Sequence, residues 1–187
     1  MFQKVANQKE LNNETILWIE DEAKLVSPVN IKNAMDNGYF ITCDSMIKKN
    51  TGYKAFNLQG KSYENNIWQS EDTDFPHWIK WMNPTGFVVI NRYSIQMPLY
   101  FGEGYSQENI ETNIRSWTFE GSKDNVKWEV LDKVNLEKNI GNGNFIIRKL
   151  ENKVSFVYFR FVFTRNFSID RKDISIGMIK CWSFKES

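Results

Sequence analysis

Residues 98–109 read as a loop, with one proline, two glycines and polar flanks. Yet this loop holds Leu99, Tyr100, Phe101 and Tyr105. Rings in a loop cost apolar hydration unless something covers them. Tyr100, Phe101 and Tyr105 could stack on the apolar face of a sugar ring while nearby amides and carboxylates bond its hydroxyls. They could equally enter a groove on another protein, or be buried by their own loop. The residues leave all three open. A second loop, 164–173, places Arg165 and Asn166 beside Phe167, polar donors next to one apolar platform. A third, 44–52, carries Met46 and Ile47 followed by Lys48 and Lys49. An apolar pair beside two cations suits an anionic target, although two lysines are as often simply solvated. His77 suits a hydrogen-bond donor at a ligand site, or a strand-end residue bonding a neighbouring loop.

The same inventory argues against catalysis. His77 is the chain's one histidine. That excludes a histidine metal cluster and a conventional histidine-dependent triad. No phosphate-binding glycine loop, paired-cysteine motif or zinc-protease motif occurs. Carboxylates abound, but no two are placed by motif as a glycosidase pair, whose separation is a tertiary property. The formal charge of +1 gives no bulk attraction to nucleic acid and little to an anionic membrane.

The elements that must position these residues read as strands. In residues 116–120, Trp117 and Phe119 alternate with polar neighbours, the two-residue period of a half-buried strand. Trp128 and Val130 repeat the pattern after the turn-forming residues 121–125, which predicts a hairpin with a buried tryptophan on each arm. Residues 156–163 predict a strand whose Val157, Phe159, Phe161 and Phe163 face the core, with Arg160 on the other face. Further strands are expected at 40–43, 87–90 with 93–97, 145–147 and 174–184. A chain of 187 residues with 15% aromatics fits one well-packed domain.

Residues 1–39 carry less pattern. An apolar knot runs from Ile16 to Ile19, and a short helix is expected over 29–35, between Ser27-Pro28 and Asn37-Gly38. The segment reads as an extension packed on or preceding the domain at 40–187. Cys43 and Cys181 read as free thiols. The first residues lack an apolar run, so no standard signal peptide is expected. The longest apolar stretch is too short to cross a bilayer. Extracellular, virion-surface and cytoplasmic settings all stay open.

"SWTFEGSKDNVKWEVLD" at 116–132 resembles the signature of discoidin domains, the coagulation factor V/VIII type C domains of the galactose-binding-like fold. "AFNLQGKSYENNIWQS" and "HWIKW" resemble the segment before that signature, and "VSFVYFRFVFTRNF" is similar to a late strand whose arginine is here Arg160. The resemblance covers roughly residues 40–184. It implies an all-β, antiparallel jelly-roll sandwich with protruding loops at one end. Residues 44–52 and 98–109 would be the first two of those loops. It also implies a non-catalytic, lectin-like carbohydrate-binding module used for adhesion or receptor binding. Tyr100, Phe101 and Tyr105 would form the platform, with His77, Arg165, Asn166 and Phe167 beside it. A glycan or glycoprotein is then the expected partner. A protein-interaction module of a larger assembly, or an anionic-membrane binder using Met46 to Lys49, are the alternatives. Many relatives carry an acidic residue where Asn57 stands and a structural calcium beyond it. Asn57 is neutral and the late acidic position falls near Met178, so no cofactor is expected, with Asp72 and Asp74 the remaining oxygen donors.

Overall fold

The computed structural model of the chain describes residues 4–6, 23–47, 51–57, 67–99 and 111–184. Twelve strands lie among them: β1 Lys4–Ala6, β2 Ala23–Leu25, β3 Phe40–Cys43, β4 Trp68–Gln69, β5 His77–Met82, β6 Arg92–Gln96, β7 Ile114–Ser122, β8 Trp128–Asn135, β9 Phe145–Lys149, β10 Tyr158–Asn166, β11 Ser175–Ile176 and β12 Met178–Phe184. One five-stranded sheet has the order β1-β9-β6-β12-β2 and the other β3-β5-β10-β7-β8; β4 and β11 form a ribbon. Strand pairing is antiparallel throughout these sheets.

The core lies between the two sheets, where alternation sends every second side chain. Ile79 and Trp81 on β5, Trp117 and Phe119 on β7, and Phe159, Phe161 and Phe163 on β10 are all buried. They meet Tyr93, Ile95, Ile146, Ile179 and Cys181 from the opposite layer. Tyr93 joins the layers directly, with its ring 5.1 Å from both Phe119 and Phe161. Each buried ring contributes about 1.5–3 kcal/mol by leaving water. Val157, expected on the same face, is only partly buried because it precedes β10. Both cysteines are free, with Cys181 buried.

The hairpin departs from its expected pattern. Phe119 pairs with Asp132 but Glu120 pairs with Val130, so Leu131 is an inserted residue. Such a bulge reverses which face later residues occupy. Val130 is therefore 60% exposed and Trp128 lies outside the core, while Asp132 and Val134 turn inward. Trp128 is covered by Arg160, whose guanidinium sits 4.1 Å from the ring centre and bonds Glu120 at 2.7 Å.

Residues 1–39, expected as an extension, contribute two edge strands: β1 pairs with β9 and β2 with β12. Val26 and Ile31 enter the core. No helix forms over 29–35. Asn30 has φ 50°, and the Asn33 side chain accepts the Met35 amide at 2.9 Å, a local bond that competes with helix. One 3-10 turn follows at Asp36–Gly38. Residues 87–90 make a single bridge, Val88 with Phe156, rather than a strand. The knot at Ile16 to Ile19 lies outside the described residues.

Register defines the two poles. Cys43 and His77 lie at one end of the second sheet, because Cys43 pairs with Ile79 and His77 with Phe163. Asn166, Ile114 and Asn135 share that end. Gln96, Phe145 and Met178 mark the same end in the first sheet, tied across by the Ser175 amide on the Thr112 carbonyl. Met82, Phe40, Tyr158 and Ser122 lie at the opposite pole.

Candidate functional site

The first pole collects the described parts of the loops singled out above. Residues 44–47 leave β3 there and 71–76 enter β5 there. The 167–174 segment leaves β10 there, and 97–99 leave β6 there. Tyr100, Phe101, Tyr105, Lys48 and Lys49 lie outside the described residues, but Leu99 and Glu111, which flank the aromatic loop, belong to this pole.

His77 stands beneath these loops. Its side chain is 0% exposed. Nδ1 lies 2.6 Å from Asp44 Oδ2, and Nε2 lies 3.1 Å from the Lys172 carbonyl oxygen. Both partners are acceptors, so a ring with hydrogen on both nitrogens satisfies both bonds. Asp44 also accepts the Trp78 amide at 2.8 Å. Burial works to raise the Asp44 pKa, but the bonds from His77 and Trp78 outweigh it and hold the carboxyl below its ordinary value. The sequence suggested a ligand-facing donor or a loop strut. The structure makes His77 a strut, with neither nitrogen left for a ligand.

Asn166 is likewise bonded within the loops. It is 5% exposed, and its amide donates to the carbonyls of Arg171 and Asp173 at 2.9 and 2.8 Å. Its Oδ1 accepts the Ser168 amide at 3.0 Å. Arg171 clamps the buried Asp173 with two bonds, and Gln69 donates to the same carboxylate. The amide of Lys172 donates to Asp72 at 2.7 Å, and its ammonium pairs with Asp74. Loops 71–76 and 167–173 are thus bound to each other.

Arg165 is exposed at this pole. Phe167 is half-buried against the core, with the Arg115 guanidinium 5.5 Å from its ring centre. Met46 is 44% exposed; Ile47 is partly covered and its amide donates to the Gln69 carbonyl. Arg115 and the fully exposed Ile169 (98%) escaped sequence reasoning. Arg115 lies in a strand pattern that gives no sign of stacking, and Ile169 is one apolar residue among polar ones. An open depression of ≈ 480 Å³ lies between the bound loops, lined by Asp72, Thr73, Asp74, Asp170 and Lys172. Three carboxylates and one ammonium can accept from and donate to the hydroxyls of a neutral ligand.

Asn57 caps a 3-10 turn, its amide on the Lys54 carbonyl, and Met178 lies in β12 opposite Gln96. Among the described residues no group of three or more acidic, histidine or cysteine side chains converges on a metal position.

The sandwich matches solved carbohydrate-binding modules. A Clostridium perfringens module, CpGH89CBM32-5, solved with GalNAc-beta-1,3-galactose, aligns with TM-score 0.58 and 17% identity, over 76% of this chain and 94% of that one. The family 32 module of C. perfringens NanJ, solved with galactose, aligns with TM-score 0.58 and 9% identity, over 78% and 93%. The CBM32-1 and CBM32-2 domains of C. perfringens ZmpB, solved with GalNAc, give TM-score 0.67 and 13% identity over 97% of this chain and 41% of that one. The fold is therefore the galactose-binding-like β-sandwich of these discoidin-like modules. No family model matches the sequence, and no curated protein matches it.

Proposed function

We propose that the chain is a non-catalytic carbohydrate-binding module that holds a neutral, hydroxyl-rich glycan at its loop pole. The observation carrying this reading is the register that brings residues 44–47, 97–99, 111–113 and 164–173 to one end. Tyr100, Phe101 and Tyr105 supply the platform for a sugar ring. Phe167 and Arg165 add a ring and a guanidinium at the same pole, and the depression between Asp72, Asp74, Asp170 and Lys172 takes hydroxyls. His77 and Asn166 hold the loops from below. The fold supports the reading through the neighbours solved with galactose and GalNAc. His77, sealed between Asp44 and a backbone carbonyl, offers no base to a nucleophile, which supports a binding role over catalysis.

A glycan array probed with the wild type and with Tyr100→Ala/Phe101→Ala tests this. Binding to galactose- or GalNAc-terminated glycans, lost in a variant whose circular dichroism is unchanged, is the expected result. A folded wild type that binds no glycan overturns it. Ile169 favours a second reading, because an isoleucine 98% exposed at the same pole suits an apolar protein partner. In that case Ile169→Ser abolishes capture of the partner and leaves the array silent.

A further inference from the structure

The pole opposite the loops holds a larger cavity, ≈ 680 Å³, between the end of β12, β2 and the turn after β5. That volume is within the range of small-ligand sites. Phe87 and Phe184 line it and are 61% and 60% exposed, two rings largely in water. Asn83, Thr85, Ser183, Tyr39 and Lys24 supply its polar wall.

Asn83 is the built element of this wall. It is 3% exposed, and its Oδ1 accepts both the amide and the hydroxyl of Thr85, at 3.1 and 2.9 Å. Those bonds fix which way the amide points, since the Thr85 amide requires an acceptor. The Asn83 backbone is held as well, its amide donating to the Val157 carbonyl at 2.8 Å. Its Nδ2 has no partner among the described residues and remains as a pre-oriented donor on the cavity wall.

Charge selects the ligand. Among the described residues Lys24 is the one ionised side chain lining the cavity, and there it is exposed and has no ion-pair partner. No carboxylate lines the cavity among the described residues. A purely apolar groove would leave its occupant undefined, whereas this one combines aromatic faces with a cation and a fixed amide donor. We infer that this cavity is a second saccharide site, selective for a carboxylated sugar. The sugar's apolar face lies on Phe87 or Phe184 and its carboxylate meets Lys24 and Asn83 Nδ2. The site is independent of the loop pole, and its occupation would make the module bivalent.

Titration of isotope-labelled protein with digalacturonate, and with galactobiose as the neutral control, tests the assignment by amide chemical shifts. Digalacturonate is expected to move the Thr85, Phe87 and Ser183 amides while those of Asp72 and Asp170 stay still. Lys24→Gln and Phe184→Ala change exposed residues and keep the fold. Each is expected to weaken binding about tenfold or more, as loss of a charge-assisted bond or of a stacking ring does. Binding of digalacturonate is expected to weaken as salt rises. Equal affinity for galactobiose, or no effect of Lys24→Gln, overturns the acidic selectivity. Absence of shifts at this pole overturns the site. Concentration-dependent self-association abolished by Phe184→Ala, without saccharide binding, would assign the surface to a second copy instead.

Discussion

His77 Nδ1 lies 2.6 Å from Asp44 Oδ2, a contact that ties the start of β5 to the residue following β3 and sits directly under the candidate binding loops. Because Nε2 is bonded to the Lys172 carbonyl, one ring braces three loop segments. Replacing His77 by Ala is expected to cost about 2–4 kcal/mol, since it removes a buried ring and strands a partly buried carboxylate. Urea unfolding followed by tryptophan fluorescence measures this.

The Asp44 contribution carries a pH signature. Its carboxyl is held below the ordinary value in the fold, so the stabilisation is fully present above the unfolded pKa of about 3.9. It is lost as pH falls through the lower folded value. Between pH 5 and pH 2, to give the range in approximate terms, the wild type should lose more stability than Asp44→Asn, which lacks that titration. Parallel curves for the two proteins would count against the His77–Asp44 bond as a stabilising ion pair.

Asn166 and Phe167 are adjacent but should behave oppositely. Asn166→Ala removes three bonds inside loop 167–173 and is expected to lower stability by about 1–3 kcal/mol. Phe167→Ala is expected to weaken glycan binding more than it alters the melting temperature, because its ring is only partly covered by the core. Isothermal titration beside thermal melts separates the two effects.

Across the sheets, Arg148 bonds Asp132 at 2.8 and 2.9 Å, Tyr93 donates to Asp132 at 2.8 Å, and Trp117 donates to the Tyr93 hydroxyl at 3.0 Å. Burial, then the Asp132 charge, push the Tyr93 phenol well above its ordinary pKa, so it remains a donor. Asp132→Ala removes the carboxylate that the buried Arg148 and Tyr93 bond, and is expected to cost about 3–5 kcal/mol. Tyr93→Phe, which removes only hydroxyl bonds, is expected to cost about 1–2 kcal/mol in the same denaturant series.

At Gly121 a Cβ would stand 2.5 Å from Phe156 Cδ2. Gly121→Ala is therefore expected to destabilise by about 1–3 kcal/mol through overpacking. Adding Phe156→Leu should recover part of that loss, and a double-mutant cycle by urea unfolding reports the coupling.

The class of fold was legible because it rests on local periodicity. Phe159, Phe161 and Phe163 alternate without interruption, and all three are core. Trp117 and Phe119 behave likewise. These are one-strand properties, decided by which side of the backbone each residue occupies. Turn-forming residues 121–125 likewise announced the hairpin. What depends on a partner strand was not legible. The extra residue Leu131 is defined only by pairing against β7, and it put Trp128 outside and Asp132 inside. Residues 4–6 and 23–25 became strands because the sheet edges at β9 and β12 supply backbone partners far away in sequence. His77 read as a ligand donor or, slightly preferred, a strut until Asp44 and Lys172, 33 and 95 residues distant, enclosed it. Sequence by itself determined strands with one buried face, joined by a hairpin turn, through alternation and turn chemistry, and its resemblance to discoidin domains implied the sandwich. Tertiary structure alone decided that residues 44–47, 97–99 and 164–173 share a pole and that Asn166 and His77 bond across it. It also decided that Phe87, Phe184, Asn83 and Lys24 form a second cavity, because register and burial are set by contacts between distant parts of the chain.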